Sequence, residues 1–378
     1  MSVTIPVPIT HEDEAKNHHL LPQCYMREWS YNGRQSVWAY DKVGKYNSAN
    51  PVASNWSFES RNIERINALE GYHDLTAANA YLPEQALAEI FDPIIALGLQ
   101  IHLDGELLDS RKKLHEKYGS FDQWQITDNT GCVLTVDERV ALAKYFAESR
   151  CTYIETAWSR QYENYWRQFV ADFENRLRRE KCTHQGNGCQ QTALIGNTDL
   201  ERLYEYMVLF DWRQPKGGII LQSIFPNIIN ALGLSGYSIP SGDRRRVYET
   251  TIEDELLRDY LLKQYYDYLN NKTGLIDDTL KAYKSRFSPH FLLTDMSNPF
   301  ITNDTPVFIA PWESCGDLLC FVIRPTLMAT FGKGNYGEFS VGIATESEVK
   351  RCNKEIARKG KMLLSISNTF DLSALLCG

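Results

Sequence analysis

Apolar residues recur at three- and four-residue steps through most of the first 287 positions, which is the spacing of helices that bury one face. Helical structure is predicted over residues 62–102, in two or three pieces broken near Gly71 and Pro83, and over 107–118, 199–210, 252–269 and 277–287, with a short helix over 22–29. One alternating run, over 36–40, predicts a strand. The pattern therefore predicts a helix-rich N-terminal and central region with a short β element near the amino end.

The longest predicted helix begins after Thr135, which is followed three residues later by Glu138 as in a capping box. No proline or glycine occurs from there to Gly186, so the helix is expected to contain at most one break. Apolar residues at 154, 158, 162, 166 and 169 share one side of it and predict a core stripe. Residues 217–247 are rich in Gly, Pro, Ser and Asn, and we expect irregular structure there with short strands at most.

The pattern changes after residue 287 to short apolar runs separated by turn residues, which are typical of strands. These runs are 291–294, 306–310, 318–323, 339–343 and 362–367, with a helix over 346–359. The predicted class is α+β, with a mostly antiparallel C-terminal sheet. We expect a helical region over 1–287 and a β-rich region over 288–378, the latter packed with the amino-terminal motif as one domain.

The amino-acid composition narrows the classes of protein to which the chain could belong. A formal charge of −8 argues against a protein that coats nucleic acid, although a local basic site stays open. Nine irregularly spaced cysteines favour reduced thiols and a cytoplasmic location. No apolar stretch approaches the roughly 20 residues that span a bilayer, so no membrane segment is expected.

A histidine pair stands out in the amino-terminal segment 17–22, because imidazole titrates near neutrality and binds metals. Adjacent side chains on an extended segment point to opposite sides, so only one of His18 and His19 would face a given site. We favour His19 as a candidate catalytic residue. The alternative is a histidine that forms hydrogen bonds within the fold.

A second polar segment, 302–305, lies between two apolar runs, where side chains at a strand end converge on a cleft. Asp304 is the candidate catalytic carboxylate, and Thr302 and Asn303 are candidate substrate ligands. The alternative is a turn closed by side-chain bonds to the backbone, which Asn and Asp commonly form.

Together these two segments resemble the bacterial and fungal family called domain of unknown function 4238, over nearly the whole chain. The family's opening motif His-x-x-Pro-x-x-Tyr-Leu is similar to His19, Pro22, Tyr25 and Met26, with methionine in place of leucine. Its late motif Thr-Ser-Asp-Asn-Pro-Val is similar to residues 302–307, with Asn303 and Thr305 departing from it. The resemblance implies candidate positions, and the family name carries no activity.

Two further groups of residues are weaker candidates for a binding site. Lys350, Lys354 and Arg358 recur at four-residue steps and would hold phosphate, or else form a solvated helix face. Cys182, His184 and Cys189 offer three zinc-type ligands at a spacing that matches no standard zinc motif. No GxSxG, HExxH or paired CxxC signature occurs.

Two hypotheses follow. The first is a hydrolase, nuclease-like, acting on nucleic acid or a nucleotide and of toxin or phage-defence type. In it His19 is a general base or metal ligand, Asp304 orients it, and Arg150 neutralises phosphate charge; a divalent metal is an open option. The second is a non-enzymatic module that binds a protein partner, in which both motifs are structural. Oligomeric state is left open.

Overall fold

The computed structural model describes residues 3–10, 17–31, 35–42, 57–183, 195–214, 216–240, 250–312, 316–335 and 337–376. Within these ranges the helices are α1 (Gln23–Met26), α2 (Glu84–Ile95), α3 (Arg111–Glu116), α4 (Val136–Glu148), α5 (Tyr153–Trp158), α6 (Asn164–Thr183), α7 (Asn197–Trp212), α8 (Ile219–Ala231), α9 (Ile252–Asn271), α10 (Leu275–Arg286), α11 (Glu346–Lys359) and α12 (Leu372–Leu376).

The strands of the same ranges are mostly short. They are β1 (Asn17–His19), β2 (Ser30–Tyr31), β3 (Ser36–Asp41), β4 (Glu59–Asn62), β5 (Ala68–Glu70), β6 (Leu75–Thr76), β7 (Gln100–Leu103), β8 (Glu106–Leu107), β9 (Gln125–Thr127), β10 (Arg150–Cys151), β11 (Phe287–Leu293), β12 (Thr302–Asn303), β13 (Val307–Trp312), β14 (Gly316–Arg324), β15 (Leu327–Lys333), β16 (Ser340–Ile343) and β17 (Met362–Ser365). The predicted α+β class is confirmed.

The chain forms two compact units that alternate along the sequence. Unit 1 contains Met1–His18, Glu70–Ala157 and Ile228–Lys272. Unit 2 contains His19–Leu69, Trp158–Asn227 and Thr273–Gly378, and so holds residues 19–22 of the amino-terminal segment and all of the segment 302–305; Asn17 and His18 belong to unit 1. The single division after residue 287 stays a prediction.

Unit 2 is built on two sheets. One has the order β13-β14-β15-β11-β16, antiparallel except for the parallel pair β11 and β16. The other has the order β12-β17-β3-β2, with β4 also paired to β3. Strand β17 was expected in the same sheet as its C-terminal neighbours, and that expectation is wrong. Helix α11 separates β17 from β16, and β17 pairs with β3 from the amino-terminal region instead.

Unit 1 is mostly helical, with the three-stranded antiparallel sheet β8-β7-β9 and the two-stranded pair β10-β6. The capping box that begins α4 is confirmed: Thr135 Oγ1 accepts from the Glu138 N–H at 3.2 Å, and Glu138 Oε2 accepts from the Thr135 N–H at 2.9 Å. The expected long helix nevertheless divides into α4, α5, a π-helical turn over Ser159–Glu163, and α6.

The break after α4 has a tertiary cause. The Ser149 hydroxyl accepts from the Ile9 N–H at 3.1 Å, and the Arg150 N–H donates to the Ile9 carbonyl at 3.1 Å. These bonds hold Arg150 in an extended conformation, where it pairs with β6. Four of the five predicted stripe residues are buried: Ile154, Trp158, Tyr162 and Trp166. The core-stripe interpretation is therefore confirmed for those four.

The expectation of irregular structure over 217–247 is wrong for α8. Leu221, Phe225 and Ile229 are buried at four-residue steps, so an apolar face drives helix formation even though Pro226 lies inside the helix. Among the described residues, every helix is either too short or too polar to cross a bilayer.

Candidate functional site

The amino-terminal motif uses both nitrogens of His19 inside unit 2. Its Nε2 lies 3.2 Å from the Ile63 carbonyl oxygen, and its Nδ1 lies 3.3 Å from the Gln23 side-chain nitrogen. A carbonyl only accepts, so Nε2 carries the proton and Nδ1 accepts from Gln23. His19 is 7% exposed. These bonds within the fold agree with the structural alternative for this residue.

The two motif segments meet through Tyr25 and Thr302. The fully buried Tyr25 hydroxyl donates to the Val322 carbonyl at 2.6 Å and lies 2.7 Å from Thr302 Oγ1. Burial raises the pKa of Tyr25 well above its usual range, so the phenol stays protonated. Nearby, the Trp29 indole N–H donates to the Phe300 carbonyl at 3.2 Å. The contact between the motifs is therefore a buried hydrogen-bonded core.

The late motif connects β12 to the end of α11 and the start of β17. The Asn303 amide donates to the Ile356 carbonyl at 2.7 Å, and its oxygen accepts from the Thr305 N–H at 2.8 Å. Asp304 Oδ1 accepts from the N–H groups of Lys361 and Met362 at 2.8 and 3.2 Å. We call Thr302, Asn303 and Asp304, with these backbone partners, the motif anchor.

Gly360 fits into the motif anchor because it lacks a side chain. A Cβ there would stand 2.3 Å from Asn303 Cβ and 2.6 Å from Asp304 Oδ1. Burial raises the pKa of Asp304, while the two N–H donors oppose that rise. The Asp304 carboxylate is thus placed by backbone groups. The hydrogen bonds of His19 and those of Asp304 have different partners, and their joint role in catalysis stays a prediction.

The predicted basic stripe lies on α11. Lys350 forms an exposed ion pair with Glu346 at 2.6 Å, and Arg358 forms one with Glu355 at 2.6 Å. Lys354 lies between them in sequence and is half-buried. The two ion pairs match the solvated-face alternative, and phosphate binding by the three residues stays a prediction.

A tight turn before β6 is the first element of a polar cluster in unit 1. The Asp74 N–H donates to the Gly71 carbonyl at 3.2 Å, and Gly71 has a φ of +58°, which favours glycine. A Cβ on Gly71 would also stand 3.0 Å from Asp74 Oδ2. Arg258 of α9 is buried and donates to the carbonyls of Tyr72 and Asp74, both at 3.0 Å. The buried guanidinium group of Arg258 therefore stabilises the turn through hydrogen bonds to its backbone carbonyls.

The Asp74 carboxylate lies between a histidine and an arginine. Its Oδ1 is 3.6 Å from His18 Nε2, and its Oδ2 is 3.6 Å from Arg150 Nη1. Pairing of β10 with β6 places Arg150 opposite Thr76, two residues beyond Asp74. His18 Nδ1 accepts from the His73 N–H at 2.8 Å, so the proton of the neutral ring is on Nε2, towards Asp74.

His73 extends the cluster to α5. Its Nδ1 forms a short contact with Glu155 Oε1, and its ring is stacked on that of His18 at 5.5 Å between centroids and 6° between planes. The Tyr265 ring contacts it edge to face at 5.6 Å. We call His18, His73, Asp74, Arg150 and Glu155 the Asp74 cluster. Three of its members, His18, His73 and Asp74, are almost completely buried.

A cavity of about 850 Å³ opens beside this cluster, with Asp74 and Arg150 in its wall. Its described lining carries five carboxylates and two guanidinium groups, a formal balance of −3; they are Glu70, Asp74, Glu148, Glu255 and Asp259 against Arg150 and Arg258. Cys151 adjoins Arg150 in β10, and burial raises the pKa of its thiol well above the usual range. A thiolate nucleophile is therefore disfavoured at Cys151.

Of the predicted catalytic residues, only Arg150 belongs to this cluster. His19 and Asp304 belong to unit 2. The sequence reasoning missed His73, Asp74 and Glu155, and it preferred His19 to its neighbour His18. The local signal was a histidine and an aspartate following Gly71, a turn residue. The predicted zinc ligands His184 and Cys189 lie outside the described residues, as does the side chain of Cys182.

Comparison with known proteins shows the family of the chain. A family model described as Protein of unknown function (DUF4238) matches residues 17–361 of the 378. No curated protein matches the chain significantly, and no solved structure does so.

Proposed function

The chain belongs to this DUF4238 family, and from its side-chain geometry we propose that it is a hydrolase acting on a small phosphate-bearing substrate of the nucleotide class. One observation carries the proposal. The Asp74 carboxylate lines a cavity while lying 3.6 Å from both a histidine and an arginine nitrogen. Titratable groups that converge at a cavity wall are typical of reaction centres.

Each group has a distinct role. Asp74 accepts a proton from water, the water oxygen attacks phosphorus, and the bond from phosphorus to the leaving oxygen breaks; that oxygen then takes a proton from solvent. Arg150 stabilises the charge that develops on the phosphoryl oxygens. His18, whose Nδ1 accepts from the His73 N–H, positions Asp74.

Cavity size and charge narrow the substrate. A volume of about 850 Å³ is in the usual range for small-molecule sites and suits a nucleotide or the end of a single strand. A formal balance of −3 would repel a bare phosphate. We therefore expect the substrate to enter as a complex with a divalent cation, which cancels its charge.

The test is hydrolysis of nucleotides, single-stranded oligonucleotides and nitrophenyl phosphate esters, each with Mg²⁺ or Mn²⁺. Asp74→Asn keeps the size of the side chain and should lower kcat by about 100- to 10,000-fold. Asp128→Asn is the matched control, because Asp128 is a buried carboxylate that accepts from Thr130 and Cys132 and is absent from the described lining of this cavity. Equal kcat in Asp74→Asn and the parent would overturn the proposal.

A toxin or phage-defence role is the more specific biological function that we propose for this hydrolase. It predicts that expression of the parent chain slows bacterial growth or reduces phage plaques, and that Asp74→Asn at equal protein level does neither. Equal effects of both chains would count against that role while leaving the biochemical test to decide the activity.

The second candidate is a non-enzymatic binding module. The observation that favours it is the motif anchor, where Asn303 and Asp304 bond to backbone groups. Ligand binding without turnover by the parent chain would select this candidate. Variants of His19 and Asp304 should then change stability more than ligand affinity.

A further inference from the structure

Two imidazoles and a carboxylate form a potential ligand set within the Asp74 cluster. One ligand atom from each of His18, His73 and Glu155 lies within 4.8 Å of the other two. These residues come from β1, from the turn before β6 and from the first turn of α5. We propose that they bind one divalent transition-metal ion of the Zn²⁺ type. This proposal rests on the ligand geometry and does not require the hydrolase activity.

The protonation of His18 suits a metal ligand. Its Nε2 proton faces the Asp74 carboxylate, and its lone pair is on Nδ1. Metal-bound histidines usually direct their other ring nitrogen at a carboxylate or carbonyl, which fixes the tautomer. A metal on Nδ1 would replace the hydrogen bond from the His73 N–H. Asp74 would then orient the first ligand.

His73 and Glu155 supply the other two ligands. The contact between His73 Nδ1 and Glu155 Oε1 is that of a hydrogen-bonded pair. A metal ion on Nδ1 would take the place of the one proton in this contact, and the neutral His73 ring would then carry that proton on Nε2. The Glu155 side chain is 19% exposed, whereas that of His73 is 2% exposed. Glu155 is therefore the ligand that adjusts when the ion enters.

The three ligand atoms need to move only slightly closer together to bind one ion. Ligand atoms on a tetrahedral Zn²⁺ with bonds of about 2.0 Å are about 3.3 Å apart, so the group must close by about 1.5 Å or less. Glu155 and Asp74 together supply two negative charges against the charge of the ion. Two imidazoles favour Zn²⁺, Co²⁺ or Ni²⁺ over Mg²⁺ and Ca²⁺. Three protein ligands leave a fourth position for water or substrate.

Calorimetric titration of the chelator-treated full chain with Zn²⁺, and visible spectroscopy with Co²⁺, would test the site. We expect one ion per chain at this site and a four-coordinate cobalt spectrum. Glu155→Gln keeps the shape but weakens a ligand, and it should lower affinity by about 100-fold or more, because the loss of outer-shell partners alone costs 10- to 100-fold.

Glu89→Gln is the matched control. Glu89 is a half-buried carboxylate of the same unit that accepts from the Tyr153 hydroxyl, and its variant should bind the ion like the parent. Cys189→Ser tests whether the ion binds instead at the cysteine-bearing segment 182–189. No binding, equal binding by Glu155→Gln and the parent, or binding lost in Cys189→Ser and kept in Glu155→Gln would each overturn the proposal.

Failure of the metal site and failure of the hydrolase are distinguishable. Loss of Zn²⁺ binding in Glu155→Gln is measured without substrate, and hydrolysis is measured with Mg²⁺ or Mn²⁺ and reported by Asp74→Asn. His18→Asn adds a second readout, because the Asn oxygen can still accept from the His73 N–H while the imidazole ligand is gone. It should fold like the parent and lose the cobalt spectrum; an unchanged spectrum would remove His18 from the ligand set.

Discussion

The motif anchor of unit 2 and the Asp74 cluster of unit 1 each position an aspartate, Asp304 half-buried and Asp74 buried, but they use it differently. Asp304 accepts two backbone N–H groups, whereas Asp74 presents its two oxygens to the side chains of His18 and Arg150. Backbone partners cannot change protonation state, whereas imidazole can. The partners of a buried carboxylate, more than its burial, therefore indicate whether it stabilises a fold or performs chemistry.

The sharpest test of the motif anchor is Gly360→Ala. The new Cβ would overlap Asn303 Cβ at 2.3 Å, so β12 and the end of α11 must separate. We expect a loss of about 3 kcal/mol in the free energy of unfolding, as for overpacked cores. Chemical denaturation measures it. Gly332→Ala is the matched control, since nothing lies within 4 Å of a Cβ at Gly332, and a similar loss there would contradict the steric explanation.

A smaller loss in the free energy of unfolding is expected from Asp304→Ala, which leaves the N–H groups of Lys361 and Met362 without the Asp304 acceptor. The cost should be about 2 kcal/mol. Asp304→Asn keeps an acceptor oxygen and should cost less than about 1 kcal/mol. Thermal unfolding of both variants gives the comparison.

The same variants test the hypothesis that His19 and Asp304 are catalytic. If the comparison between the two regions holds, His19→Ala and Asp304→Ala lower the melting temperature and leave kcat per folded molecule near that of the parent. A fall of kcat by 100-fold or more in both variants, at parental stability, would instead favour the catalytic pair.

Local patterns predicted much of the fold. The capping box at Thr135, helix α11 and most C-terminal strands follow from periodicity and turn residues. The break at Arg150 did not, because it depends on hydrogen bonds with Ile9, which is 141 residues earlier (150 minus 9). Helix α8 was missed because Gly217 and Gly218 before it, and Pro226 inside it, outweighed its four-residue apolar repeat.

The candidate site was harder to predict for the same reason. His18 and His73 are 55 residues apart, and His73 and Glu155 are 82 apart, so no spacing rule connects them. The rule that adjacent strand residues face opposite sides applied to His18 and His19, but it could not say which ring would meet other titratable side chains. Only the fold supplies His73 and Asp74 as neighbours of His18.

Asp211 sharpens the comparison, because its pKa is strongly perturbed without a cluster of titratable partners in its described contacts. It is fully buried in α7, and its oxygens accept from the Ile219 N–H at 3.0 and 3.2 Å. Burial raises the pKa of Asp211 to about 8, and the N–H donor opposes that rise. The partners are again backbone groups, so we expect an effect on stability and none on chemistry.

The sign of that effect follows from proton linkage. The folded pKa of Asp211 is about 8. The unfolded pKa is about 3.9. Between these values the folded chain holds an extra proton, so the contribution of Asp211 is fully present below about pH 4 and is lost as the pH rises to about 8. The slope is at most about 1.4 kcal/mol per pH unit.

Asp211→Asn removes the titrating group and should therefore flatten the pH profile. Urea unfolding midpoints between about pH 5 and pH 8 would show the parent losing stability relative to the variant, with the difference constant above about pH 8. Parallel profiles would mean that Asp211 does not titrate in this range. Unchanged kcat in Asp211→Asn, beside a large loss in Asp74→Asn, would show that a buried carboxylate is reactive where its partners are side chains and not where they are backbone groups.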